Sequence, residues 1–306
     1  MGQWWTAILV SVGVLALLRL LLEFKSSRGD GKLAKVHPYR RMMPIIMPSK
    51  VESLVFFDQW LPIAELERYL KTHGEEIGCR MTHIIVAAVA RGFHHHPNMN
   101  RFVSGGRLYD RDDVWVSFSM KRKKLDASAK VAVVKMQVPD GMSLKGLCDK
   151  INGQVQEQRT EKKTYLDKEL NLFLSLPTFI LKAAFRLLQW CDDRNILPQG
   201  FTRTDAMFTS AFVANLGTLG MSAGYHHLYE WGNCPLFIMI GQTEERVLPD
   251  GKGGVKIEEG MQIRFTYDER VEDGLTARHG MDAMMHALTD PETAFGKDGE
   301  ISLSKS

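Results

Sequence analysis

The stretch Phe265-Thr-Tyr-Asp-Glu-Arg-Val-Glu-Asp-Gly274 decides the fold. Before it, Gln262–Tyr267 sets Ile263 and Phe265 between polar neighbours, the period-two pattern of a half-buried strand. After it, Gly274–Leu288 reads as a helix. A charged turn between a strand and a helix is a context that can present side chains to a ligand.

Working outward, Asp58–Gly74 is expected as a helix with Leu61, Ile63, Leu66 and Leu70 on one side. Thr82 is expected to cap a second helix running through Ile84, Ile85, Ala88 and Val89 and stopping before Pro97. Val114–Met120 and Val131–Val138 are β-branched, strand-like runs, and Leu144–Gln158 is a polar-faced helix. Met207–Val213 and Leu236–Gly241 are apolar strands. Helices and strands mix without regular βαβ alternation, which favours α+β or a two-layer α/β sandwich.

The N-terminus has its own character. Trp4 to Leu22 is apolar apart from Thr6, Ser11 and Arg19, close to the ~20 residues that span a bilayer as a helix. A cleaved signal peptide normally has a basic start and a small-residue cleavage site, and neither is seen here. Lys25, Arg28, Lys32, Lys35, Arg40 and Arg41 follow the span, so the positive-inside bias puts the body in the cytoplasm. The domain plan is therefore a single-pass anchor at 1–24, a flexible tether at 25–40, a body at 41–290 and a flexible tail at 291–306. Within the body, 165–200 is an apolar helical insertion. Lys182, Arg186 and Gln189 form one narrow polar stripe there, opposed by Phe179, Ile180, Leu181, Phe185, Leu187, Leu188 and Trp190. That pattern suits an interfacial membrane helix, the lid of an acyl channel, or a helix buried in the core.

Composition narrows the function. Of 306 residues, 44% are hydrophobic and 25% charged, an ordinary globular balance. A net charge of +3, with one basic cluster at Lys121–Lys124, gives no nucleic-acid stripe. Cys79, Cys148, Cys191 and Cys234 lack zinc or redox spacing and read as reduced thiols. His94-His95-His96 reads as a helix end rather than a ligand set, because consecutive residues cannot share a helix face. No metal site is expected.

The charged turn Asp268-Glu269-Arg270-Val271-Glu272-Asp273-Gly274 resembles the Asp-His-Arg-x-x-Asp-Gly signature of the dihydrolipoamide acyltransferase catalytic domain. Phe212-Val-Ala-Asn-Leu-Gly217, then Thr218-Leu219-Gly220, resembles that family's Ile-Ser-Asn-Leu-Gly-x-x-Gly turn. Pro97-Asn-Met-Asn100 and Cys234-Pro-Leu-Phe-Ile-Met-Ile-Gly241 are similar to two further family segments. The fragments fall in the family's order over roughly residues 40–290. The resemblance implies a two-layer α/β sandwich of the chloramphenicol acetyltransferase type, preceded by one transmembrane helix. It also implies a homotrimer with sites between subunits, and coenzyme A thioester as substrate.

Two departures alter the implied chemistry. Glu269 stands where the family has the histidine that deprotonates the acceptor, and an ordinary carboxylate, with a pKa near ~4.3, is a weak base for that task. Ala214 replaces the serine before Asn215, leaving Thr218 as a substitute hydroxyl for the oxyanion. His226 and His227 are candidate replacement bases, with Glu269 or Asp273 as the orienting carboxylate. Asn215 and Arg270 are candidate ligand-binding residues. The expected activity is acyl transfer from acyl-CoA or a similar thioester at the membrane. The alternatives are a catalytically inactive scaffold or ligand-binding protein, and an accessory subunit of a dehydrogenase-type complex.

Overall fold

A computed structural model describes residues 2–121, 131–159 and 175–302. Most of the Lys121–Lys124 cluster and the start of the 165–200 insertion lie outside the described residues.

The core is a six-stranded mixed sheet in the order β2-β9-β8-β7-β5-β6. Its strands are β2 (Leu54–Pro62), β5 (Trp115–Lys121), β6 (Val131–Gln137), β7 (Ala211–Asn215), β8 (Leu236–Pro249) and β9 (Val255–Asp268). β7 runs parallel to β5 and β8, and the other pairings are antiparallel. Alternation sorts the side chains between two faces. Val213, Ile238, Ile240, Ile263 and Phe265 join the main core beneath the helices. Phe212, Ala214, Phe237 and Met239 face the other way, into a smaller cluster closed by Ala223 and Leu228 of the loop before β8. Helices α4 (Met81–His95), α5 (Leu144–Arg159) and α8 (Gly274–Thr289) form the helical layer, α4 and α8 at its centre. These two approach closely at Gly92 and Gly280, where an added Cβ would run into Met284 and Met99. The result is the two-layer α/β sandwich expected.

Four expectations are corrected. Asp58–Pro62 is not helical. It continues β2, whose Leu54–Pro62 pairs residue for residue with Asp268–Gly260 of β9. The helix starts only at Ala64 (α3, Ala64–Tyr69), so partnering by β9 outweighs the local helical spacing. The helix expected to start at Thr82 is instead capped at Arg80, whose N–H donates to His83 Nδ1 at 3.1 Å.

The supposed tether is built into the body. Gly31–Leu33 (β1) pairs with β4 (Arg107–Arg111), which in turn pairs with β3 (Arg101–Ser104), and Pro38–Ile46 is a helix, α2. The Arg28 side chain is 3% exposed and sits between Asp30 and Asp192, at 2.8 Å from each. Burial opposes ionisation of Asp30, but Arg28 and Arg111 bring its carboxyl below the ordinary value. Asp192 is pushed up by burial, and Arg28 counters only part of that shift.

The described part of the tail, residues 291–302, also packs rather than fraying. Pro291–Phe295 forms α9, Ser143 bridges Glu300, and Phe295 and Ile301 are buried.

Ahead of the body stands α1 (Gly2–Phe24). Its segment Trp4–Phe24 has a mean hydropathy of 2.3, buries none of its described side chains against the body, and is long and apolar enough to cross a membrane.

Candidate functional site

The turn after β9 is held by a buried ion pair. Arg270 grips Asp268 with Nε to Oδ1 at 2.9 Å and Nη2 to Oδ2 at 2.8 Å. Ser53 Oγ donates to the same Oδ1 at 2.8 Å, and Arg270 Nη1 donates to the carbonyls of Met47 and Pro48. With its guanidinium engaged on both sides, Arg270 is a brace that fixes the turn to the segment entering β2.

Glu269 is fixed through its backbone. Its N–H donates to Ser53 O at 2.9 Å and its carbonyl accepts from Arg40 at 3.1 Å. The side chain is half-buried, and no hydrogen bond or ion pair reaches its carboxylate among the described residues. Glu272, in contrast, is committed to Arg101 at 2.5 Å and faces Arg40 at 3.6 Å.

Asp273 is the N-cap of α8. Its Oδ1 accepts the Thr276 N–H at 2.9 Å, and this bond holds its carboxyl below the ordinary range. Its capping duty turns it toward the helix start.

The second turn follows β7. Asn215 Oδ1 accepts the Thr218 N–H at 3.3 Å, and Thr218 Oγ1 donates to the Asn215 carbonyl at 3.0 Å. Gly220 closes the turn at φ 69°, a left-handed value that suits glycine. Asn215 and Thr218 border a cleft of about 860 Å³, also lined by Arg80, His83, Ser119 and Asn152.

His83 was not singled out from the sequence. It lies near the start of an apolar helix and resembles a core residue, and that lone imidazole in an otherwise apolar run was the available signal. Its Nδ1 accepts the Arg80 N–H, so its Nε2 carries the proton that goes to Asn152 Oδ1 at 3.2 Å. Burial lowers its pKa.

The sheet register fixes the relation between the two turns. Asn215 pairs with Ile240, and Ile240 with Ile263. Glu269 lies six residues beyond Ile263, so the turns stand at opposite ends of the sheet, roughly 20 Å apart at ~3.3 Å per residue. A small acyl group cannot touch both within one chain.

His226 lies between them on the loop-covered face. Its ring stacks on Phe237 at 4.1 Å and its carbonyl accepts from Thr266 Oγ1 at 2.6 Å. Lys50 steadies the loop beyond by donating to the carbonyls of Tyr229 and Gly232. Each histidine has Nδ1 against a backbone carbonyl, at 2.6 Å for His226 and 2.8 Å for His227. Nδ1 must therefore carry the proton when the ring is neutral, which leaves Nε2 as the basic nitrogen. His226 is half-buried and His227 is exposed.

The cysteines are free. The Cys148 thiol is pushed up first by a hydrogen bond to Cys79 and then by burial, and Cys234 by burial, so neither resembles an activated nucleophile. No cluster of three or more metal-ligating side chains occurs among the described residues.

No protein-family model matches the chain, and no curated relative does. Solved structures do. A probable dihydrolipoamide acetyltransferase from Listeria monocytogenes superposes with a TM-score of 0.54 at 14% identity, over 85% of this chain and 94% of its own. The dihydrolipoamide acetyltransferase of Azotobacter vinelandii gives 0.54 at 15% identity, over 86% and 94%. That structure concerns the catalytic role of a serine, a histidine and an asparagine. A chloramphenicol acetyltransferase gives 0.50 at 11% identity, over 85% and 98%. At these identities the likeness shows the fold: the chain has the chloramphenicol acetyltransferase type of acyltransferase fold.

Proposed function

We propose that this chain is a membrane-anchored acyltransferase acting on a thioester-activated acyl group such as acyl-CoA. Its site would be shared between neighbouring subunits of a homotrimer, with the body on the cytoplasmic side of the membrane. The observation that carries this reading is the separation of the two turns. Each is firmly built, yet they lie at opposite ends of one sheet, an arrangement that becomes a site when the Glu269 turn of one subunit meets the Asn215 turn of the next. The basic residues from Lys25 to Arg41 support the cytoplasmic side.

In this reading His226 Nε2 takes the proton from an acceptor hydroxyl or thiol. The acceptor atom attacks the thioester carbonyl carbon to form a tetrahedral oxyanion. Collapse breaks the C–S bond, and the departing thiolate recovers the proton from His226. Glu269, whose carboxylate has no hydrogen bond or ion pair among the described residues, supports the imidazolium that forms in between. Losing a general base typically costs ~10²–10⁴-fold in rate. His226→Ala should therefore lose most acyl transfer or acyl-CoA hydrolysis by the full-length protein, whereas His227→Ala should lose little. Full activity in both, with loss in Glu269→Gln, would make the carboxylate the base.

One observation favours a second reading, an inactive scaffold that binds an acyl ligand or partner. The Thr218 hydroxyl proton is donated to the Asn215 carbonyl and is not free for an oxyanion. Unaltered protein that binds acyl-CoA but turns over none of it would establish that reading.

A further inference from the structure

We infer that helix α6 (Thr178–Asp193) is a second, monotopic membrane contact, lying in the headgroup region of the bilayer that α1 spans. This rests on the membrane-anchored reading above.

The first observation is exposure. Only Asp192 of the helix is buried. Phe179, Ala183 and Leu187 follow at i, i+4 and i+8 and share one face. Phe179 is 73% and Leu187 60% exposed, with Ile180 beside them at 38%. The opposite side faces the protein, through Asp192 and through Phe185 set edge-on to Trp231 at 5.5 Å. The outward face is thus the apolar one, the reverse of a water-facing helix. Lys182 and Arg186, four apart along one flank of that face, are exposed and long enough to reach phosphates while their stems lie along the apolar surface.

The second observation is where the helix ends. Its C-terminal cap is bonded to the last turn of α1. Arg194 pairs with Glu23 at 2.5 Å, and Asn195 and Lys25 exchange hydrogen bonds at 2.7 Å each. Arg28 joins Asp30 to Asp192 just beyond. The point where the span leaves the lipid is therefore fixed beside the end of α6. Sixteen residues reach ~24 Å from that point, and interfacial helices bury an apolar face ~5–10 Å deep. A lipid surface is the occupant that continuity with α1 supplies.

The test uses the full-length chain in phosphatidylcholine vesicles, in a Cys191→Ser background because the other three thiols are buried. An environment-sensitive fluorophore is placed by Leu9→Cys in α1, Phe179→Cys or Leu187→Cys in α6, and Lys71→Cys on the exposed helical side. All four positions are exposed, so the labels do not perturb the core. The expected result is a blue shift and loss of most emission to a lipid-borne quencher at positions 9, 179 and 187, with no loss at 71. If position 9 is quenched by lipid while 179 and 187 respond to aqueous iodide as 71 does, the inference falls and the anchor stands. Shielding of 179 and 187 from both quenchers would place α6 against protein, a second copy included, and would also overturn it. If no position is quenched by lipid, the membrane reading and the inference fall together.

Discussion

At the residue scale, the substitution at position 269 matters less for what it removes than for what surrounds it. The turn keeps the Asp268–Arg270 pair, with side chains 2% and 4% exposed. Removing one partner of such a pair strands a buried charge, at a cost of ~3–5 kcal/mol. Asp268→Asn should lower the unfolding free energy, read from denaturant titration, by an amount in that range, while Glu269→Gln, whose carboxylate has no partner among the described residues, should leave it nearly unchanged. Stability loss in both variants would mean that Glu269 is part of the brace. The charged turn and the Asn-Leu-Gly turn were legible in the sequence because they are contiguous. Two features were not. The engagement of Arg270 depends on Met47, Pro48 and Asp268 meeting in space, and the place of His226 over Phe237 depends on a long loop crossing the sheet.

At the scale of elements, periodicity identified the helices and strands whose burial is local to themselves. It failed where a distant partner decides. β2 carries apolar residues at spacings a helix would also use, and only its pairing with β9 makes it a strand. Gly31–Leu33 looked like linker because three residues of strand carry no periodic signal, and β4 supplies what they lack. Arg28 looked like one of several charges near a membrane, yet it is the post around which Asp30, Asp192, Ser104 and Asn195 gather. Arg28→Met should leave Asp192 without its counter-charge and Asp30 with Arg111 alone, destabilising the protein by ~3–5 kcal/mol. It should also free the 25–35 segment, read as rapid proteolytic cleavage there in detergent while the body persists. Cleavage no faster than in the unaltered protein would show that β1 pairing alone holds the segment.

At the scale of the whole molecule, a two-layer sandwich carries two firmly built turns at opposite ends of its sheet, behind an apolar helix whose last turn is bonded to the body through Glu23 and Lys25. An enclosed single-chain site would have brought the turns together, and the register forbids that. In the proposed cyclic trimer, unlike ends of adjacent copies would stand face to face and bring the two turns together. The purified full-length protein in detergent should accordingly be a trimer, with Glu269→Gln and Asn215→Ala each folded, trimeric and nearly inactive. The most direct measurement is acyl-CoA turnover by trimers reassembled from an equal mixture of those two inactive variants. If sites are shared between subunits, about a quarter of the interfaces combine an intact Glu269 turn with an intact Asn215 turn, and activity should return to about that fraction of the unaltered protein. If mixed trimers form and remain as inactive as their parents, each site lies within one chain and the shared-site account is wrong.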